Sequence, residues 1–320
     1  MGGSGSALFA DADAFQAHLP AATEFLVTRA GRFRARLTWM ELTDLYLLLA
    51  RETMPRIAYV SLPTERVFII FPTHRTSTLI CDGVQVRMGD IVFHGRAERF
   101  HQCTTNTTAW GSIALSPAWL RAYGRTLAEQ DVVPPPFGRI LCPQSADRRQ
   151  LLRLHAEAMR LAETSLSRIE HPAVARAVEQ DLIWALVSCL ANGEPRGEPP
   201  VMRRHAGVLA QLEQELTSHL DRPPLLVELC EAIGVSESML RTACLALLGM
   251  EPGRYLHLRI LERVRRALLH VDPITGDGTE AMRRLGFAEL HHFMTAYRDA
   301  FGEFPQMSLG RAIGSSNLRP

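Results

Sequence analysis

The last hundred residues use one plan twice, and that repetition constrains the fold more than any other feature. Leu226-Val-Glu-Leu-Cys-Glu-Ala-Ile233 has the spacing of a short helix, Gly234-Val235-Ser236 that of a turn, and Glu237 to Leu248 that of a second helix. Glycine readily takes the left-handed conformation that ends a helix, and a serine hydroxyl caps the helix that follows. Cys230 is small enough for the two helices to cross closely, with Val235 and Leu240 as apolar contacts beneath the turn. About 50 residues later, Thr279-Glu-Ala-Met-Arg-Arg-Leu285 leads into Gly286-Phe287 and a helix from Glu289 to Ala300. Between the copies, Pro252 to Leu269 reads as one long helix with Tyr255, Leu256, Ile260, Val264, Ala267 and Leu268 on its buried side. A single copy fits any helical hairpin. Two copies joined by a helix fit paired helix-turn-helix units that present their second helices to successive major grooves of double-stranded DNA, roughly 34 Å apart.

Upstream, Asn192-Gly-Glu-Pro-Arg-Gly-Glu-Pro-Pro200 combines helix breakers with charge and has no apolar pattern, which predicts a linker over residues 192–200. Residues 1–23 then form a tag-like start and N-terminal segment, residues 24–191 one domain, and residues 201–312 another. In the first domain, alternation in Phe33-Arg-Ala-Arg-Leu-Thr-Trp39 and the apolar run Arg66-Val-Phe-Ile-Ile-Phe71 predict strands. So do Val84-Gln-Val86 behind the Cys81-Asp-Gly83 turn and Met88-Gly-Asp-Ile-Val-Phe93. Many short strands between such turns favour an antiparallel barrel or double sheet. The period then changes: Leu151, Leu154, Ala158 and Leu161, followed by Val174, Val178, Leu182, Ala185 and Cys189, mark two amphipathic helices that either cap the sheets or form a seam with a second subunit. The fold class is α+β.

No apolar run reaches membrane-spanning length, and the six cysteines are scattered without a Cys-x-x-Cys pair, the usage of a reduced, cytoplasmic protein. The chain has no lysine, so arginine supplies all 35 basic residues against 34 acids. From Val201 onward 14 arginines balance 14 acids, so contact with phosphates has to come from arginines gathered on one face.

From about Leu225 to Ser308 the chain resembles the DNA-binding domain of the AraC/XylS family of bacterial regulators. The resemblance rests on Leu248-Gly-Met-Glu-Pro252 with Tyr255-Leu256, on Arg259-Ile-Leu-Glu-Arg-Val-Arg-Arg266, and on Gly286-Phe287, Phe293, Tyr297 and Phe301-Gly-Glu-Phe-Pro305. It implies a regulator, not an enzyme, that works as a homodimer with a cupin-like β-barrel and helical hairpin upstream sensing a small-molecule effector. The chain departs from the family pattern at Met282, where a small residue is usual, and at Thr242, Ala243, His291, His292 and Thr295, where basic or small residues are common.

The residues placed to meet DNA are Ser236, Glu237, Ser238, Arg241 and Thr242 in the first unit and Glu289, His291, His292, Thr295 and Arg298 in the second, with Arg241 and Arg298 the leading contacts. Arg259, Arg283 and Arg284 would join them if one face carries the charge. For the effector, the expected lining is Arg36, Trp39, Phe71, His74, His94, His101 and Trp110. No cofactor is expected, and no metal either: a cupin metal site sets two histidines on alternate residues of one strand, and no His-x-His occurs. Two other readings stand beside this one. One is a cupin-type metalloenzyme that uses His74, His94, Glu98 and His101; the other is a degenerate relative that binds a ligand or protein without reading DNA.

Overall fold

The computed structural model of the chain describes residues 3–19, 21–164, 169, 171–197, 199–218, 224–269 and 290–308. The chain forms two compact units, one of Met1–Phe25 with Phe33–Glu198, the other of Leu26–Arg32 with Pro199–Pro320.

The strands are β1 (Gly5–Phe9), β2 (Ala22–Val27, its last two residues counted with the second unit), β3 (Ala35–Glu41), β4 (Tyr46–Glu52), β5 (Arg56–Ser61), β6 (Val67–Pro72), β7 (Leu79–Cys81), β8 (Val84–Val86), β9 (Ile91–Phe93), β10 (Arg99–Thr104), β11 (Thr108–Leu115), β12 (Arg139–Cys142) and β13 (Glu194–Pro195), and apart from that strand end all lie in the first unit. Its helices are α1 (Ala12–Gln16), α2 (Pro117–Ala128), α3 (Ser145–Thr164) and α4 (Pro172–Asn192). The strands make two sheets, in the orders β1-β3-β4-β11-β6-β9-β12-β13 and β2-β5-β10-β7-β8. This corrects the expectation of one closed barrel: the larger sheet ends in edge strands β1 and β13, so the architecture is the double sheet.

Strand alternation divides the side chains of the larger sheet. Leu47, Leu49, Val67, Ile69, Phe71, Ile113 and Leu115 pack under α2, α3 and α4 with Leu151, Leu154, Ala158, Leu182 and Leu186. The two amphipathic helices therefore cap the sheet. Gly111 is needed at their closest approach, because a Cβ there would lie 2.6 Å from His155 Cε1 and 2.8 Å from Phe71 Cε2.

His155 is fully buried at that contact, with Nε2 3.1 Å from the Leu48 carbonyl. Burial drives its pKa down to about 4, against the upward pull of backbone hydrogen bonds to Leu48 and Ser112. The unfolded chain thus binds a proton that the folded chain refuses between about pH 6.5 and 4, and this contribution to stability, full above 6.5, is lost as pH falls through that window. Asp82 has the opposite sign. Its burial raises the carboxyl to about 6, so its contribution is present at low pH and lost as pH rises through 6. The His155 effect is therefore read as a difference: urea midpoints of wild type should fall more steeply than those of His155→Gln between pH 6.5 and 4. Parallel curves would refute the assignment.

The tag-like reading of the start is corrected in part. Gly5–Phe9 pairs antiparallel with β3, with Gly5 opposite Trp39, and Phe9 and Phe15 join an aromatic cluster with Phe25 and Phe33. Much of the predicted linker is also held: Asn192 ends α4, Glu194 and Pro195 pair with Cys142 and Leu141, and Arg196 forms an ion pair with Asp90.

The second unit is helical: α5 (Pro200–Ser218), α6 (Leu226–Ile233), α7 (Glu237–Leu248), α8 (Pro252–Leu269), α9 (Leu290–Phe301) and α10 (Pro305–Ser308). Among the described residues no helix is long and apolar enough to cross a membrane.

Candidate nucleic-acid interface and sensor interior

The turn between α6 and α7 forms as its residues dictate. Gly234 has φ 67° and ψ 35°, and its N–H and that of Val235 donate to the carbonyls of Glu231 and Cys230. Ser236 is extended and its Oγ accepts from Met239 N at 3.2 Å, which starts α7. Leu240, Ala243, Cys244, Leu247 and Leu248 are buried, whereas Glu237, Ser238, Arg241, Thr242 and Leu245 are exposed. The Cys244 thiol, pushed up to about 12 by burial, serves as a small apolar group. All five residues expected to meet DNA in this unit, Ser236 included, are solvent-exposed. Arg241 is not idle: its Nη2 lies 2.8 Å from Glu251 Oε1, across the turn into α8.

The linking helix has the predicted bounds but a more polar buried side. Leu256, Ile260 and Ala267 are half-buried, and Arg259, Glu262 and Arg265 join Tyr255, Val264 and Leu268 in the interior. Arg259 donates to Glu213 of α5, whose other carboxylate oxygen accepts from Tyr255 Oη at 2.5 Å. This corrects Arg259 as a DNA-facing charge: its partner is a buried carboxylate 46 residues upstream.

In the second unit, residues 270–289 lie outside the described residues, and with them Met282, Arg283, Arg284, Gly286, Phe287 and Glu289. His291 and His292 stand in α9, but their side chains are likewise outside the described residues. Phe293 and Tyr297 are buried against Leu261, Val264 and Leu268 of α8. Thr295 and Arg298 are exposed, and the Arg298 guanidinium lies over the Phe304 ring, 5.8 Å from its centroid.

In the first unit the expected effector residues separate. Trp110 points between the sheets, where Nε1 donates to Glu52 Oε1 at 2.5 Å. Glu52 pairs with Arg56 (Nε to Oε2 3.0 Å), and Arg56 also donates to the Gln102 carbonyl at 2.6 Å and Gln102 Oε1 at 2.5 Å. Both charged side chains are fully buried. Trp39 belongs to the same face of the larger sheet by alternation along β3 and β4. His94 stacks on Phe100 with ring centroids 4.1 Å apart, and its Nδ1 is 3.2 Å from Glu98 Oε2. Burial opposes the Glu98 charge, but His94 and the N–H groups of Gly95 and Gly138 outweigh it and hold the carboxyl below its usual range. Among the described residues, His94 Nε2 and the indole nitrogen of Trp39 are buried without a hydrogen-bond partner.

The rest lie elsewhere. Phe71 meets His155 on the helix-covered face, Arg36 reaches Glu163 of α3 at 3.9 Å and is half-exposed, and His74 is an exposed loop residue bonded to Thr76. These three are corrected as lining of one interior pocket. His101 is buried beside the Tyr59 ring, with its N–H on Asp82. The buried charges Glu52 and Arg56 and their partner Gln102 escaped the sequence reading; the only signal was charge at the ends of two apolar strands. Among the described residues no group of three or more His, Cys, Asp or Glu side chains is arranged to hold a metal ion.

A left-handed glycine between two short helices, the second capped by serine and showing a polar face, is the geometry of one helix-turn-helix unit. A family model described as a helix-turn-helix domain matches residues 229–309. The curated "Probable thc operon regulatory protein" of Rhodococcus erythropolis is 25% identical over 189 residues, 57% of this chain and 55% of that protein, so the chain spans about half the length of that relative. Among solved structures, the AraC-like transcriptional activator CuxR is 14% identical, with 81% of this chain and 94% of that one covered and a TM-score of 0.43. ToxT from Vibrio cholerae O395 is 10% identical, with 91% and 98% covered and a TM-score of 0.30.

Proposed function

We propose that the chain is a sequence-specific regulator of transcription that reads double-stranded DNA through α7 and a second unit around α9, as a homodimer in the cytoplasm. A cupin-like sensor of two sheets controls it by holding a small-molecule effector between them. The observation that carries DNA reading is the face of α7, where Ser238, Arg241 and Thr242 are exposed while the opposite side is core. The buried atoms His94 Nε2 and Trp39 Nε1 support the effector, because an unmet buried polar group costs about 1 to 3 kcal/mol that a ligand can recover. Trp184, 54% exposed on α4, supports a second copy as the partner of that helix. The regulator has no catalytic step.

The full chain should retain duplex fragments in a salt-dependent way, and Arg241→Ala should weaken retention by about 1 to 3 kcal/mol if the arginine reads a base edge. Retention that ignores salt, or is absent, would refute the proposal. The degenerate reading is favoured by one observation: of the arginines expected on a DNA face, Arg259 is buried on Glu213 and Arg241 is paired with Glu251.

A further inference from the structure

Residues 238, 241, 242 and 245 follow i, i+3, i+4, i+7, so they form one stripe along α7. Three are polar or charged. The fourth, Leu245, is 45% exposed at the C-terminal end of that stripe, one turn beyond Arg241, while the other leucines of the helix, Leu240, Leu247 and Leu248, are all buried. The core therefore makes little use of Leu245, which stands where the proposed reading helix would face base edges.

We infer that Leu245 is a specificity residue that recognises the C5-methyl group of a thymine. The inference rests on the DNA-reading function proposed above and names a chemical feature of its target. The major-groove edge of a base pair offers hydrogen-bond donors and acceptors and one apolar group, the thymine methyl. A leucine cannot answer the former and matches the latter. Arg241, one turn earlier, carries a fork of donors that fits guanine O6 and N7. Four residues of helix advance about 6 Å, close to two base steps of about 3.4 Å. The favoured site thus holds a guanine for Arg241 and a thymine for Leu245 within about two base pairs. Arg241 leaves Glu251 to reach its base; Leu245 has no partner to leave.

The test removes only the methyl. The full-length chain is used to select duplexes from a random-sequence library, and each thymine of an enriched duplex is replaced in turn by deoxyuridine, which keeps the pairing edge and the O4 acceptor. At one position the replacement should weaken wild-type binding about 3- to 5-fold, the worth of one buried methyl-sized group. Leu245→Ala should weaken binding to the thymine duplex by at least as much and be indifferent to deoxyuridine at that position, while Arg241→Ala keeps the sensitivity. Because Leu245 is exposed, its alanine variant should melt with wild type, which separates lost contact from lost fold. An enriched duplex whose affinity no deoxyuridine changes, or a Leu245→Ala protein that stays fully sensitive, overturns the inference while DNA reading stands. Absence of any enriched sequence overturns DNA reading and the inference with it.

Discussion

Replacing Glu52 with alanine is expected to destabilise the sheet unit by about 3 to 5 kcal/mol, read from the urea midpoint of that unit's own transition. The substitution leaves the Arg56 guanidinium fully buried between Phe25 and Trp110 with, among the described residues, only the Gln102 oxygens as acceptors. Trp110 Nε1 loses its acceptor at the same time. The cost comes from the stranded charge and not from the worth of the pair, because desolvation of two ions offsets much of their attraction. A double variant, Glu52→Leu with Arg56→Met, should therefore recover most of the loss. A single-variant loss below about 1 kcal/mol would mean that water reaches Arg56.

Glu213→Ala should destabilise the helical unit by up to about 3 to 5 kcal/mol, because it removes the buried carboxylate to which both Arg259 and Tyr255 Oη donate. Its effect should reach DNA retention as well, since α5 packs against α7 as well as α6 and so supports the proposed reading helix. Arg241→Ala provides the contrast. The Arg241 and Glu251 pair is exposed, so its loss should leave the melting temperature nearly unchanged while affecting DNA. A Glu213→Ala protein that melts with wild type would show that the carboxylate contributes little to holding α5 on α8.

Local chemistry made the helical half legible. Pro252 can start a helix because its missing N–H is not needed there, Gly234 can end one, and Ser236 can cap the next, so α7 and α8 begin and end where their sequence says. Pairing between distant residues was not legible. Arg259 reads as one of several arginines on a helix, and only the packing of α5 selects it for Glu213. In β6 the alternation separates two faces without saying which is covered by helices, and so Phe71, expected among the effector's lining, instead lies under α3. The Glu52 and Arg56 pair needs the register of β5 on β10, which brings Gln102 across, and no local pattern encodes that register. Gly5 reads as part of a flexible start, yet a bare Cα suits an edge strand where a Cβ would come within 2.9 Å of the Trp39 ring.

The Glu213 contact also fixes where the chain can be cut. The recognisable pattern begins near Leu225, and the family match at residue 229, both downstream of α5. A fragment trimmed to either boundary would lack Glu213 and expose the apolar flank that Val208, Leu209, Leu212 and Leu216 help to cover. A self-sufficient fragment of the helical unit therefore has to keep α5, and the helix that looks least like the rest is the one an excised fragment cannot do without.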